Sequence, residues 1–248
     1  MQQIIATAKS AARAAGTLIL SEFAAPRRVD AAEAHDIKLA LDRESQALIT
    51  DTILSAFPDH AILGEEGTAG TAGSEWEWIV DPIDGTVNYF YGIPHFCISI
   101  AARRGGAIVA GVILDPVRNE CWEATADGPA LLNGLPCSVS DRTRLADAVV
   151  TIGFAKSDAT IAAGLPLLGK LVHRVRKCRM LGSAALDLAY VACGRLDAYI
   201  ESAVGLWDVA AGKIIVERAG GRIELIESAI GGKIAVRAWN GKIDLDIA

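Results

Sequence analysis

The chain has 248 residues, 52% of them hydrophobic and 22% charged, which excludes intrinsic disorder and is long enough for a full buried core. A formal charge of -6 gives no general attraction for polyanions, so the composition argues against a nucleic-acid partner. The five cysteines (Cys97, Cys121, Cys137, Cys178 and Cys193) form no Cys-x-x-Cys pair and read as reduced core thiols; with no leader and no apolar run of spanning length, a cytoplasmic location without a membrane partner is expected.

From Gln2 to Phe23, Ile4, Ile5, Ala8, Ala12, Ala15, Leu18, Ile19 and Leu20 recur at three-to-four spacing, with Lys9 and Arg13 off the stripe, which predicts an amphipathic helix. A second helix is predicted from Asp42 to Phe57, entered from a loop end at Asp36 to Asp42 that leaves Asp42 as an N-terminal carboxylate. Ala61 to Leu63 and Trp76 to Val80 read as strands leading to Gly64-Glu65-Glu66 and to Asp81. Acids at strand ends stand on a rigid scaffold with their tips toward a crevice. Gly85-Thr86 opens a short helical turn. Phe96 to Arg103 and Ala107 to Leu114 pair antiparallel about Gly105-Gly106, and Glu120 to Ala126 extends that sheet.

From about Ser140, strands and helices alternate: Ala148 to Gly153, Arg174 to Leu181, Leu196 to Glu201 and Arg222 to Ile226 as strands, with helices at Leu165 to His173, Ser183 to Cys193 and Trp207 to Arg218. Ser183 fits an N-cap, while Gly194 and Gly220-Gly221 fit left-handed helix ends. The class expected is α+β, a single catalytic unit over 1–248 without linker or repeat: an N-terminal α+β half, 1–140, and a C-terminal α/β half, 141–248. The basic run His173 to Arg179 reads as a solvated strand that could also serve an anionic ligand.

The run Asp81-Pro82-Ile83-Asp84-Gly85-Thr86 carries the chemistry, together with Glu65 and Asp208. Carboxylates gathered within a few ångströms repel one another unless hard cations take up the charge, so these four would hold two or three Mg²⁺ ions. One ion lowers the pKa of a water that attacks phosphorus and another stabilises the leaving oxygen. Pro82 fixes its own φ and lets the Ile83 carbonyl serve as a further ligand. Gly85 permits close approach, and the N–H groups of Gly85 and Thr86 suit a phosphate. Alone, Asp-x-x-Asp is commonly a turn and Trp207-Asp208 a first-turn acid; joint occurrence at strand ends and a helix start makes the site. His35, His60, His95 and His173 lack zinc spacing and read as structural or surface residues.

Three segments then carry a resemblance: Gly64-Glu65-Glu66, Asp81 through Tyr89, and Trp207-Asp208-Val209-Ala210-Ala211-Gly212 with Ala219-Gly220-Gly221. The chain resembles the inositol monophosphatase family of Mg²⁺-dependent, lithium-sensitive sugar phosphatases, from its first helix to about Gly221. That resemblance implies a layered αβαβα fold, a homodimer and a set of roles. Glu65, Asp81 and the Ile83 carbonyl would hold the ion that activates water, and Asp81, Asp84 and Asp208 the ion at the leaving group. Thr86 with Asp42 would orient and deprotonate the water, Gly85 and Thr86 would bind phosphate, and Gly182, Ser183, Ala184 and Glu201 would line the alcohol pocket.

Departures from the family pattern leave the alcohol open. The family's loop Lys falls at Ala31, so Lys38, Arg27 or Arg28 is the expected replacement cation; Ala203, Val204 and Gly205 stand where inositol-specific members carry larger or more polar groups. The sequence also ends soon after Trp239-Asn240-Gly241, where many relatives continue into a helix. The expected activity is hydrolysis of a small polar phosphate monoester such as inositol 1-phosphate. Fructose 1,6-bisphosphate, 3′-phosphoadenosine 5′-phosphate, histidinol phosphate and non-catalytic phospholigand binding are the alternatives.

Overall fold

Side-chain alternation along the central strands sets the layering. In this computed structural model, which describes residues 1–23, 29–33, 36–154 and 158–245, α1 (Gln2–Glu22) precedes a hairpin of β1 (Val29–Glu33) and β2 (Asp36–Leu39). Next come α2 (Ala40–Ala56), β3 (Ala61–Gly64), β4 (Gly67–Gly70), β5 (Trp76–Asp84) and the short α3 (Thr86–Phe90). Then follow β6 (Cys97–Arg104), β7 (Ala107–Asp115), β8 (Glu120–Thr125), β9 (Leu131–Leu132) and β10 (Leu135–Pro136). The second half contains β11 (Val149–Ile152), α4 (Asp158–Val172), β12 (Lys177–Arg179), α5 (Ala184–Ala192), β13 (Ala198–Val204), α6 (Leu206–Arg218), β14 (Arg222–Glu227) and β15 (Ile234–Trp239).

An eight-stranded sheet has the order β10-β9-β8-β7-β6-β5-β3-β4 and is antiparallel except where β3 pairs parallel with β5. A five-stranded sheet runs β12-β11-β13-β15-β14, parallel through its first three strands and antiparallel beyond. On β5, Trp78 and Val80 point to one side and Ile79 to the other, as the two-residue period requires. The first side packs on α1 and α2 through Ala8, Ala12, Ala15, Ile49 and Ile53. The second packs on α5 and α6, whose opposite faces cover Tyr199, Val236 and Ala238 of the smaller sheet. Helix α4 covers that sheet's far face through Leu171, against Val150, Ile152, Ala198 and Ile200. The result is the αβαβα layering, with one core cluster shared by both halves of the chain.

Element boundaries depart from sequence expectation where pairing partners decide them. Residues 36–39 form a strand because β1 lies beside them, and β15 exists because β13 and β14 flank it. The strand expected over Arg174 to Leu181 shortens to the edge strand β12, where Lys177 and Arg179 are exposed and Arg176 pairs with Asp147 at 2.6 Å, which is the solvated reading of the basic run. Burial pushes the Cys121 and Cys137 thiols up to about 11, and all five cysteines are free. Among the described residues no helix is long and apolar enough to cross a membrane.

Helix α6 lies between the sheets, with Val209, Ala210, Ala211, Ile214, Ile215 and Val216 buried. It approaches β7 closely at Gly111, where a Cβ would stand 2.7 Å from the Ala211 carbonyl oxygen and 2.8 Å from Ile214 Cγ2. Gly111→Ala is therefore expected to overpack this contact and destabilise the fold by about 1–3 kcal/mol in chemical denaturation. A stability indistinguishable from wild type would contradict that packing.

Candidate active site

Two acids three residues apart on a regular strand face opposite sides of a sheet. Here Asp81 pairs with Ser99 and Asp84 with Cys97, so Pro82 and Ile83 together oppose the single residue Ile98. That bulge accommodates Pro82, which has no N–H for the ladder, and its extra residue returns Asp84 to the face occupied by Asp81. Strand β5 thus runs through both acids rather than stopping before them. The Asp81 Oδ1 accepts the Ile83 N–H at 3.1 Å, which braces the bulge.

Asp208 arrives from the first turn of α6, its Oδ2 accepting the Gly205 N–H at 2.6 Å. One carboxylate oxygen from each of Asp81, Asp84 and Asp208 lies within 4.8 Å of the others. Glu65 occupies the turn between β3 and β4, its N–H donating to the Val80 carbonyl at 3.1 Å. Asp81 is held well above the usual carboxylate range, first by burial and then by the charges of Glu65, Asp84 and Asp208. Burial also raises Asp84, opposed by hydrogen bonds from the Ser183 hydroxyl and the Ala185 and Ala184 N–H groups. Buried carboxylates that mutually raise one another fit a hard divalent cation with oxygen ligands.

Next to the acids, Gly85 adopts φ 95°, and a Cβ there would come within 3.0 Å of the His95 carbonyl oxygen, so glycine is required twice over. The Thr86 hydroxyl donates to the Ile83 carbonyl at 2.9 Å and lies 3.4 Å from Asp42 Oδ1. Asp42 is buried in the first turn of α2. One turn further along that helix, Ser45 donates to the Pro82 carbonyl at 3.3 Å, and Gln46 meets the turn that carries Glu65.

Glu65, Asp81, Asp84, Asp208, Thr86 and Asp42 therefore come together as the sequence motifs anticipate. Gly182, Ser183 and Ala184 arrive in the same place but attach to its scaffold: Ser183 stands at the N-cap position with no capping bond, and its hydroxyl is 2.6 Å from Asp84 Oδ2. Gly182, at φ 81°, abuts Asn88, whose amide donates to the carbonyls of His95 and Leu181 at 2.8 Å. Glu201 stands at a different edge, where its Oε2 accepts the Tyr199 hydroxyl at 2.6 Å and its carboxylate occupies the space a Cβ on Gly153 would fill. Between Glu201 and Asp84 lies buried Asp187, raised by burial and then by the charge of Asp84.

Ser45, Gln46, Asn88 and Asp187 were not singled out from sequence. The first two carry a readable signal, three and four residues after Asp42 and so on its helix face. Lys38 lies in β2, opposite Ala31 in the antiparallel register, while Arg27 and Arg28 fall outside the described residues. His60 is structural, stacked between Phe57 and Trp76 at 4.6 and 5.4 Å, with its Nδ1 accepting from Trp78. His95 is buried and His173 exposed; His35 lies outside the described residues.

Similarity to known proteins runs along nearly the whole chain. Residues 1–241 match the model of the inositol monophosphatase family. Over 227 residues the chain is 39% identical to Nus factor SuhB of Escherichia coli, covering 89% of this chain and 84% of that protein. The crystal structure of the extragenic suppressor protein suhB from Bartonella henselae superposes with a TM-score of 0.90 at 34% identity, covering 96% of this chain and 94% of that one. Inositol monophosphatase from Anabaena superposes at 0.85, also at 34% identity, with 97% and 92% covered. A match along nearly the whole chain, in sequence and in fold, makes this protein a member of the inositol monophosphatase family and a phosphatase.

Proposed function

We propose that the protein is a Mg²⁺-dependent phosphomonoesterase acting on a small polar phosphate, with inositol 1-phosphate the leading substrate. The observation that carries this reading is the cluster of buried Asp81 and Asp84 with half-buried Asp208, with Glu65 at its side and the Thr86–Asp42 pair at its edge. Glu65, Asp81 and the Ile83 carbonyl would hold one ion, and Asp81, Asp84 and Asp208 a second. Bound there, divalent ions supply Lewis acidity toward water and toward the phosphoryl and leaving oxygens. Thr86 orients the attacking water, and Asp42 takes its proton through the Thr86 hydroxyl. The N–H groups of Gly85 and Thr86 receive the phosphate. Ser183, Ala184 and Ala185 keep Asp84 in place, and Glu201 meets the hydroxyls of the alcohol.

Bisphosphatase or histidinol-phosphatase activity is the alternative within the same chemistry, since the departures at Ala203, Val204 and Gly205 leave all four acids in the sequence. Relatives that carry the name Nus factor raise a protein-partner role as a second reading. The retained acids and Thr86 favour hydrolysis. A homodimer belongs to the proposal through the family resemblance, and a cytoplasmic location through the sequence reading.

Phosphate release from a panel of inositol, sugar, nucleotide and histidinol phosphates, with Mg²⁺ and then with added Li⁺, tests the substrate. Asp84→Asn should lower turnover roughly 10²-fold or more, because ion stabilisation of the transition state amounts to several kcal/mol. Thr86→Val should lower kcat by roughly 10²- to 10⁴-fold while the protein remains folded. Retained activity in Asp84→Asn would sink the mechanism. Lys38→Ala is expected to raise KM or the Mg²⁺ requirement, and unchanged kinetics would remove Lys38 from the site.

The raised pKa of Asp81 sets a pH dependence for the metal-free protein. The folded form holds a proton that the unfolded chain releases near pH 4, so this group's stabilisation is complete below that pH and is lost as pH rises through the folded value. A bound divalent ion replaces the lost protons. The gain in Tm on adding Mg²⁺ should therefore be larger at pH 8 than at pH 5, measured by differential scanning calorimetry; equal gains would contradict the assignment.

A further inference from the structure

Glu65 sits at the tip of an arm with little packing of its own. All four residues of β4 are exposed, and its strand Gly67-Thr68-Ala69-Gly70 offers β3 mainly backbone pairing. The backbone around Glu65 is nevertheless tied down at successive peptide units. The Glu65 N–H donates to the Val80 carbonyl at 3.1 Å. The next two ties come from one side chain: Gln46 Oε1 accepts the Glu66 N–H at 2.9 Å, and Gln46 Nε2 donates to the Gly67 carbonyl at 3.1 Å.

Gln46 is 9% exposed and lies on the face of α2 that also presents Asp42 to Thr86 and Ser45 to the Pro82 carbonyl. Its amide fills the space that a Cβ on Gly64 would need. Gly64 has no left-handed φ, so glycine is required there to admit the Gln46 amide rather than to relieve the backbone. Only a carboxamide meets both demands of the turn. A carboxylate would accept from Glu66 but oppose the Gly67 carbonyl and add a charge beside Glu65, whereas a thioether would fill the volume and make neither bond.

We propose that Gln46 is a positioning residue for Glu65, gripping the Glu65–Gly67 turn through both ends of its amide and so setting the affinity for the divalent ion that Glu65 holds. The inference rests on the metal-dependent reading of the site given above. Helix α2 then ties metal affinity to the alignment of Asp42 with Thr86, because one rigid helix face holds both.

Mn²⁺ titration of the metal-free full chain by calorimetry, with CD and thermal unfolding as folding controls, tests this directly. Gln46→Met should weaken binding of the Glu65-dependent ion by roughly 10- to 100-fold, the usual cost of losing a group that orients a metal ligand. The metal midpoint for phosphate release should rise by the same factor, with kcat at saturating metal changed far less. Gly64→Ala offers a second route: its Cβ displaces the Gln46 amide and should weaken Mn²⁺ in the same way. In a Gln46→Ala background that effect should largely vanish, giving a strongly non-additive cycle. Should Gln46→Met fail to fold, Gly64→Ala and its cycle decide the matter.

A folded Gln46→Met that binds Mn²⁺ as wild type does, or an additive cycle, overturns the inference. So does a loss of kcat at saturating metal with Mn²⁺ affinity unchanged, which would make Gln46 merely structural. A wild-type protein that neither binds Mn²⁺ nor releases phosphate overturns the phosphatase mechanism and this inference together. Wild-type binding and turnover, with variants that match it, overturn this inference alone.

Discussion

Keeping Asp81 and Asp84 on one face of one strand is the constraint on which the rest of the structure depends. Period-two geometry opposes it, and the bulge at Pro82 and Ile83 resolves the conflict by adding a residue against Ile98. The cost is concentrated negative charge in a region almost without solvent, where Asp81 is 1% and Asp84 7% exposed. Burying such charges without partners is unfavourable by several kcal/mol each, so the site is stable when cations balance its ionised acids or when protons neutralise them. The geometry that weakens the metal-free protein is the same geometry that suits phosphate chemistry.

Three helices brace this strand from different directions. Helix α5 directs its first N–H groups and the Ser183 hydroxyl at Asp84, so its N-terminus stabilises a carboxylate of the site. Helix α6 delivers Asp208 from its first turn and is held close to β7 by the absence of a side chain at Gly111. Helix α2 touches the site at Thr86, at the bulge and at the turn carrying Glu65. Their approach is close because the facing residues are small: alanines and glycines along α1, α5 and α6 let the layers sit tightly around the larger sheet. Packing at that density transmits displacement, so a misplaced helix would be felt at the acids.

The surroundings of Glu201 are built on different principles. Glu201 is held by the Tyr199 hydroxyl and accommodated by Gly153, and Asp187 lies buried between it and Asp84. The bond from the Tyr199 hydroxyl orients that carboxylate. The clustered acids and Glu201 therefore rest on separate elements, β5 with α6 for the first and β13 for the second.

Much of this was legible in the sequence. The three-to-four spacing of α1, the apolar runs of β6 and β7 about Gly105-Gly106 and the glycines after α5 and α6 specify those elements locally, because helix period, hairpin turns and left-handed helix ends are written in short stretches of chain. Glu65, Asp81, Asp84, Thr86 and Asp208 were readable as a group because each sits at a strand end or helix start. The hairpin of residues 29–39 and the strand β15 were not, since a strand with weak alternation is decided by the neighbour that pairs with it. Asn88 and the attachment of Ser183 to Asp84 were hidden, being contacts 93 to 99 residues apart in the chain, and of Gln46 only its place on the Asp42 face was readable, not its grip on the Glu65 turn. The sequence by itself determined the inventory of acids and the periodicity of the elements that carry them, because both are local. Which of those acids share a face, and which polar side chains hold them there, only the tertiary structure decided, because a bulge, a register and a helix approach exist only once distant segments are packed together.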